Sequence, residues 1–174
     1  HHKDAYLKDW HIKSHNTNNS HIYTTPTYWR GTSLDWLNGY CDTSEEGKEG
    51  FQFMYAGRKG TFTPMHCDVL CSYSWSANIY GKKKWILFDP EESKKLFSIK
   101  TEDVVISDIN NDVDMKVFPN AKRAQRIECV QHSNEIIFVP SGFYHQVRNL
   151  TDCISVNHNG MHSENVMRAW EYLR

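Results

Sequence analysis

Short apolar runs bounded by glycine and proline dominate the chain from Phe51 onward. Within most of these runs apolar and polar residues alternate, which is typical of strands with one buried face. The predicted strands are FQFMYAG, GTFTPMHCDV, YSWSANIYG, KKWILFDP, EIIFVPSGF, HQVRNL and CISVNHNG. Because they follow one another closely with turn residues between them, the pattern predicts a mainly β domain of the sandwich or barrel type.

Helical spacing of apolar residues occurs in three short segments. One helix is predicted around Leu34 to Leu37 and a second over Glu91 to Phe97. A third is predicted at the C-terminus, where Ser163 is a suitable N-cap residue. The apolar positions of this last helix are Val166, Met167, Trp170 and Leu173. The first fifty residues are rich in aromatic and turn-forming residues, and we expect them to wrap around the β-sheets.

Residues 91–126 separate the earlier strands from the later ones. After the predicted helix this segment becomes acidic and turn-prone through SDINNDVDMK. Insertions of this kind usually lie at the surface, so we expect it to contribute to an entrance. The length of 174 residues suits a single domain over 1–174. Because the chain starts at His1 without a methionine, we expect that an N-terminal segment is missing.

The composition does not indicate a nucleic-acid or membrane partner, and we expect neither, although a local basic patch is compatible with it. Twenty basic and 21 acidic residues leave a net charge of −1, which does not indicate binding to nucleic acid or to an anionic membrane. No apolar run approaches the roughly 18 residues that a membrane span requires. The five cysteines are scattered and form no C-x-x-C pair, as expected for free thiols in a reducing compartment. We therefore expect a cytoplasmic protein, with the nucleus as the alternative.

His66 and Asp68 lie two residues apart in a predicted strand, so both side chains are expected on the same face. His145 begins a later strand after a Pro-Gly turn and is the candidate third ligand. Two histidines and one carboxylate on one face of a metal form the facial triad that commonly holds non-haem Fe(II). The alternative is that His66 and Asp68 are unrelated surface polar residues, since such pairs often arise by chance.

Lys83 and Thr63 favour the metal interpretation. An iron-bound 2-oxoglutarate has a distal carboxylate that needs a partner inside a narrow barrel. In GKKKW, alternation sends Lys83 to one face and Lys82 and Lys84 to the other, while Thr63 precedes the bend at Pro64. A lysine run is more commonly a solvated edge, but the apolar residues that follow this one indicate a buried strand.

The motifs TPMHCD, GKKKWILF, IIFVPSGFYHQVRNL and SVNHNG, in this order, resemble the jumonji C (JmjC) Fe(II)- and 2-oxoglutarate-dependent oxygenases. The resemblance implies a double-stranded β-helix of the jelly-roll, cupin-like type with flanking helices. It also implies O2 as a substrate. The implied iron ligands are His66, Asp68 and His145; the implied cosubstrate-binding residues are Lys83, Thr63, Asn157 and Tyr55. Beyond the metal ligands, no catalytic side chain is required.

Within that family, YLKDWH, FMYAG and SYSWSANIYGKKKW are similar to the branch called jumonji domain-containing protein 4. That branch implies lysyl C4-hydroxylation of the eukaryotic translation termination release factor, a protein substrate. Asp68 agrees with hydroxylase members, because demethylase branches mostly have glutamate at this position. The alternatives are a JmjC lysine demethylase acting on histone or other protein tails, and a non-enzymatic cupin-like binding module.

Overall fold

Two antiparallel sheets form the framework of the chain in a computed structural model that describes residues 5–11, 22–29, 34–43, 50–101, 103–111 and 113–174. The strands are β1 (Tyr6–Trp10), β2 (Gln52–Gly57), β3 (Phe62–Cys67), β4 (Tyr73–Tyr80), β5 (Lys83–Phe88), β6 (Ile127–Gln131), β7 (Glu135–Val139), β8 (Tyr144–Asn149) and β9 (Cys153–Gly160). The larger sheet has the order β1-β2-β9-β4-β7, and the smaller sheet has the order β3-β8-β5-β6. The helices are α1 (Trp36–Thr43), α2 (Pro90–Ser93) and α3 (Val166–Tyr172).

The two sheets face each other across a buried apolar layer. Trp85, Leu87 and Val147 of the smaller sheet pack with Val139 of the larger sheet. Burial of alternate residues along each strand produces this layer, because side chains at i and i+2 share a face. The predicted mainly β, jelly-roll architecture is confirmed.

The outer face of the larger sheet is covered by the N-terminal segment. Tyr73, Trp75 and Val156 form a buried cluster there, and Tyr23 and Trp29 pack against it. The Trp29 and Trp75 rings stack with their centroids 5.4 Å apart. The described part of the N-terminal segment therefore wraps the sheet as the sequence predicts.

The segment 91–126 covers the outer face of the smaller sheet. Its residues Leu96 and Ile106 are buried against Ile86 and Phe88, in a cluster that the sequence does not predict. Met65 donates its backbone N–H to the Ser107 carbonyl, which ties the segment to β3. The segment therefore has an exposed outer side, and its apolar inner side covers the sheet face opposite to the one that bears His66.

Two strands were not predicted. Both β1 and β6 are edge strands, and only one side of each is paired within its sheet. Each is only five residues long, so the alternation along it is too short to identify a strand by itself. The helices near residues 34 and 91 exist with shifted bounds, the second continuing as a 3₁₀ turn over Lys94–Leu96.

The C-terminal helix differs from its prediction in two ways. Its N-cap residue is Asn165, not Ser163. Its buried contact is made by Ala169, whereas Met167, Trp170 and Leu173 are exposed. Helical spacing of apolar residues therefore located the helix correctly but assigned the wrong face to the interior.

Candidate metal centre

Three side chains capable of binding a metal converge between the two sheets. His66, Asp68 and His145 each present one ligand atom, and these atoms lie within 4.8 Å of one another. His66 and His145 are direct partners in the pairing of β3 with β8, and their ring centroids are 4.2 Å apart. Asp68 follows the end of β3 in extended conformation, with its Oδ1 atom 3.9 Å from His66 Nε2. Tertiary structure thus places together the three residues proposed as ligands.

Hydrogen bonds orient all three groups. His66 Nδ1 lies 2.8 Å from the Pro64 carbonyl, and His145 Nδ1 lies 3.4 Å from the Phe143 carbonyl. If each Nδ1–H donates to its carbonyl, each Nε2 is left with a lone pair for a metal. The Ser74 hydroxyl donates to Asp68 Oδ2 at 2.7 Å, which leaves Oδ1 directed towards the histidines.

The electrostatic environment keeps His145 neutral. Burial, opposed by the Asp68 carboxylate and assisted by the nearby His66, lowers the pKa of this imidazole to about 4. Its side chain is only 3% exposed, and the Trp85 ring stacks at 5.7 Å. A neutral imidazole is the form that coordinates a metal.

A β-bulge in β3 brings Thr63 to the same side as His66. Thr63 pairs with Val147 and His66 with His145, so three steps along β3 match two along β8. Without this extra residue, side chains three apart would point to opposite faces. Thr63 lines the pocket of the triad, and its Oγ1 lies 3.1 Å from the Tyr6 hydroxyl.

Lys83 lies deep in the same pocket and is 2% exposed. Its ammonium donates to Ser155 Oγ at 2.6 Å. Burial lowers the pKa of this ammonium to about 8. Among the described residues no carboxylate forms an ion pair with Lys83. A buried cation held only by a hydroxyl is energetically costly, and an anionic ligand would offset that cost.

Tyr55 and Asn157 also line the pocket. The Tyr55 hydroxyl donates to the Asp9 carboxylate, and its ring centre lies 5.9 Å from Lys83 Nζ. Asn157 Oδ1 accepts from the Ser76 hydroxyl at 2.9 Å. All three of these contacts involve the larger sheet, whereas the triad and Lys83 come from the smaller sheet and the turn after β3, so the pocket is built from both sheets.

Two pocket residues, Tyr6 and Ser74, and the Lys83 partner Ser155 have no role in the sequence-based prediction. Tyr6 was missed because β1 was not recognised as a strand, although YLKDW alternates over five residues. A Cβ atom at Gly57 would lie 2.6 Å from the Tyr6 ring, so the glycine makes room for it. Ser74 and Ser155 lie in the predicted strands YSWSANIYG and CISVNHNG, but their bonds to Asp68 and Lys83 depend on the tertiary structure.

The donor set fits a particular class of metal site. Two imidazoles and a carboxylate on one side of a small volume leave coordination positions open for substrates, as in non-haem Fe(II) oxygenases. A structural zinc site would instead close its coordination with a fourth protein ligand. Among the described residues, no other group of three or more His, Cys, Asp or Glu side chains lies close enough together to hold one ion.

Comparison with known proteins agrees with the site. The sequence model of the family described as JmjC domain, hydroxylase, matches residues 53–159. The chain is 43% identical to 2-oxoglutarate and iron-dependent oxygenase JMJD4 of Danio rerio and 36% identical to the Homo sapiens protein of the same name, in each case over 97% of this chain and 39% of the relative. It is also 40% identical to arginine-specific demethylase JMJ20 of Arabidopsis thaliana, over 97% of this chain and 38% of that protein. The chain thus spans about two fifths of the length of these relatives. No described helix is both long and apolar enough to cross a membrane.

Proposed function

The chain belongs to the JmjC domain family, and from this premise we propose that it is an Fe(II)- and 2-oxoglutarate-dependent dioxygenase acting on a protein. The observation that carries the proposal is the combination of the triad with Lys83 in one pocket. The triad alone suits several metals and reactions. A buried ammonium without an ion-pair partner among the described residues adds the requirement for an anionic cosubstrate.

His66, Asp68 and His145 are the proposed iron ligands. When bound, Fe(II) with 2-oxoglutarate and O2 supplies the oxidation of a substrate C–H bond to C–OH, with 2-oxoglutarate converted to succinate and CO2. The Pro64 and Phe143 carbonyls and the Ser74 hydroxyl hold the three ligands in place. No side chain acts as a general acid or base in this proposal.

The distal carboxylate of 2-oxoglutarate is assigned to Lys83, Thr63 and Tyr6. The three side chains come from three strands and line the same pocket. Burial raises the pKa of the Tyr6 hydroxyl, so it remains a hydrogen-bond donor at neutral pH. An ammonium and two hydroxyls can satisfy both carboxylate oxygens, which accept several hydrogen bonds. Asn157 and Tyr55 complete the pocket wall.

The substrate is proposed to enter beside His66. His145 is buried in the centre of the smaller sheet, whereas the His66 side chain is 38% exposed. The pocket is therefore more open to solvent beside His66 than beside His145. A closed pocket floor and an open rim suit a long side chain that projects from a protein surface.

The reaction we propose is C4-hydroxylation of a lysine in the eukaryotic translation termination release factor, taking place in the cytoplasm. Support comes from the similarity to the oxygenases named above and from an aspartate at the central ligand position. Purified protein with Fe(II), ascorbate and 2-oxoglutarate should add one oxygen atom to a release-factor peptide. Asp68→Ala should abolish both succinate formation and the mass change. Unmodified peptide in the presence of folded, iron-loaded protein would contradict the assignment.

Demethylation is the second candidate, and the similarity to arginine-specific demethylase JMJ20 favours it. Both reactions begin at a C–H bond, and the difference lies in whether a side-chain carbon or an N-methyl carbon faces the iron. Oxidised N-methyl groups release formaldehyde, whereas a C4-hydroxyl group remains on the peptide. Two measurements separate the reactions. Demethylation should release formaldehyde from N-methyl-lysine or N-methyl-arginine peptides, and hydroxylation should increase the mass of the unmethylated peptides.

A further inference from the structure

The inward face of β9 extends from Lys83 to the metal ligands. Ser155 and Asn159 share this face, because residues an even number of positions apart in a strand point the same way. Ser155 accepts the hydrogen bond from Lys83. Asn159 is the register partner of Ser74, whose hydroxyl donates to the metal ligand Asp68. Asn159 therefore lies beside the metal ligands, roughly 13 Å along the strand from the partner of Lys83.

Strand β3 has the same order on the smaller sheet. Thr63, proposed to bind the distal carboxylate, comes first, and His66 and Asp68 follow it. A cosubstrate that reaches from the metal to Lys83 fills the first part of the pocket. The substrate side chain is left with the part beside Asp68, which Asn159 lines from the larger sheet.

Asn159 has one open polar atom. Its backbone N–H donates to the Phe51 carbonyl at 2.9 Å, and its backbone carbonyl accepts from Asn38 Nδ2 at 2.8 Å. Its side-chain Nδ2 donates to the Ser72 hydroxyl at 3.0 Å. No donor in the described part of the chain bonds to its Oδ1. Unlike the unpaired amide oxygen of Asn78, which is fully buried, Asn159 Oδ1 is accessible from the pocket.

The charges in this part of the pocket suit a cation that donates hydrogen bonds. Asp68 supplies the carboxylate of the triad, and Asn159 Oδ1 adds an open acceptor. The ammonium in the pocket lining, that of Lys83, lies at the other end beside Ser155. A lysine ammonium has three N–H donors and no acceptor, so an open amide oxygen is a complementary partner for it.

We propose that Asn159 is a specificity-determining residue whose amide oxygen accepts a hydrogen bond from the ammonium of the target lysine. The inference rests on the proposed function and adds the group that selects lysine over an uncharged side chain with the same carbon chain. Three bonds separate the ammonium nitrogen of a lysine from C4, so the ammonium lies close to the metal when C4 faces it. Asn159 is placed in this region by its strand partner Ser74, which contacts Asp68.

The test compares two release-factor peptides, one with lysine and one with norleucine at the target position. The two side chains have equal carbon chains, and only lysine carries an ammonium. Binding to protein loaded with Mn(II) and 2-oxoglutarate is measured by fluorescence anisotropy of labelled peptides, and turnover is measured with Fe(II). The ratio of the two affinities is compared between variants, because a general loss of folded protein lowers both affinities and leaves their ratio unchanged.

Asn159→Ala should lower the preference for the lysine peptide by about tenfold, because a hydrogen bond to a charged group contributes about that much. Asn159→Asp preserves the shape of the side chain and an oxygen acceptor, so it should keep or increase the preference. A residue with only a structural role would change neither ratio.

Asn78→Ala is the matched control. Asn78 is a buried asparagine of β4 whose Nδ2 donates to the Gly81 carbonyl and whose unpaired Oδ1 does not line the pocket. The preference for lysine should stay within about twofold of the wild-type value, because no hydrogen bond to the substrate is lost.

The possible failures can be told apart. Wild-type protein that does not distinguish the peptides, an unchanged preference in Asn159→Ala, or an equal loss in Asn78→Ala overturns the role of Asn159 whatever the turnover. A preference that depends on Asn159, without oxidation of either peptide, supports the role of Asn159 and contradicts the proposed reaction.

Discussion

At the scale of single residues, Lys83 is where function conflicts most with stability. Its ammonium is buried, its pKa is lowered to about 8 by that burial, and its hydrogen-bond partner is the uncharged Ser155 hydroxyl. The neighbouring Lys84 lies on the opposite face and pairs with Glu128 at 2.8 Å. Alternation along β5 therefore places two adjacent lysines in different environments. The Lys83 ammonium is buried without an ion pair among the described residues, and the Lys84 ammonium forms one at the surface.

Lys83→Met is expected to stabilise the ligand-free protein. Removing a buried charge should raise its free energy of unfolding by about 1 to 3 kcal/mol. The same substitution should eliminate stabilisation by 2-oxoglutarate. Lys84→Met is the control and should change stability by less than about 1 kcal/mol, with the response to 2-oxoglutarate intact. Chemical unfolding with and without 2-oxoglutarate measures the stability of each variant and its response to the ligand. A Lys83→Met protein that is destabilised and is still stabilised by 2-oxoglutarate would contradict the role of Lys83 in binding the distal carboxylate.

The lowered pKa of Lys83 also predicts a pH dependence for cosubstrate binding. The ammonium is charged below its pKa of about 8 and becomes neutral above it, so the attraction for a carboxylate is present at low pH and lost as the pH rises. The affinity for 2-oxoglutarate should fall by up to about tenfold per pH unit above pH 8. Calorimetric titration of the Mn(II)-loaded protein provides the measurement. The weak residual binding of Lys83→Met should not vary with pH over this range, whereas a flat wild-type profile would refute the prediction.

Ser74 is predicted to position the metal ligand Asp68. Its hydroxyl donates to Asp68 Oδ2, whereas Ser76 on the same face donates to Asn157. Loss of such a partner typically costs about tenfold or more in metal affinity. Ser74→Ala should therefore weaken Mn(II) binding by about tenfold, and Ser76→Ala should leave it within about threefold. Equal effects of the two substitutions on Mn(II) titrations would show that the bond to Asp68 has no special role.

At the scale of elements, two bulges do much of the positioning. The bulge in β3 puts Thr63 on the side of His66, and a bulge in β1, where two residues stand opposite Tyr55, puts Asp9 beside that tyrosine. Each inserts one residue into a strand and so changes which face the following side chains occupy. The chemistry of the pocket therefore depends on local departures from regular strand pairing.

The segment 91–126 is predicted to contribute to stability through its inner side. Ile106 is 4% exposed in the cluster against β3 and β5, whereas Ile99 in the same segment is 67% exposed. Ile106→Ala should reduce the free energy of unfolding by about 2 to 4 kcal/mol, because it leaves a cavity in a packed cluster. Ile99→Ala is the same chemical change at an exposed site and should cost less than about 0.5 kcal/mol. Denaturant unfolding of both variants tests this, and similar costs would indicate that the segment is not packed as described.

At the scale of the whole molecule, the pocket connects the two sheets. The three candidate ligands and Lys83 belong to the smaller sheet or to the turn after β3, whereas Ser74, Ser155 and Asn157 belong to the larger sheet. A ligand held by both sets would couple the two sheets. Binding at this site should therefore raise the free energy of unfolding of the whole domain.

Mn(II) and 2-oxoglutarate together are expected to raise the midpoint of thermal unfolding. A ligand that binds only the folded state at a hundred times its Kd contributes about 2.7 kcal/mol. The shift caused by 2-oxoglutarate should be larger with Mn(II) than without it, because the metal provides part of its site. Asp68→Ala should lose the response to Mn(II). If 2-oxoglutarate stabilised Asp68→Ala as strongly as the wild type, the shared site would be disproved.

The sequence by itself determined the β class, most strands with a buried face and the family, and it predicted the three candidate ligands that the structure brings together. These are local properties, because alternation and short motifs each involve only a few neighbouring residues. They can be recognised without knowing which other parts of the chain they pack against. Alternation puts Lys83 on the face opposite to Lys82 and Lys84, the apolar residues that follow indicate a buried strand, and Lys83 is buried in the structure.

Only the tertiary structure decided the edge strands β1 and β6, the buried side of the segment 91–126, the outward face of α3 and the places of Tyr6 and Asp9. These features depend on partners distant in sequence. Tyr6 becomes part of the pocket only because β1 pairs with β2, and Asp9 reaches Tyr55 only because that pairing contains an extra residue. Hydrophobic patterning specifies which face of a strand is buried, but the choice of neighbour and the position of a bulge arise from pairing between strands.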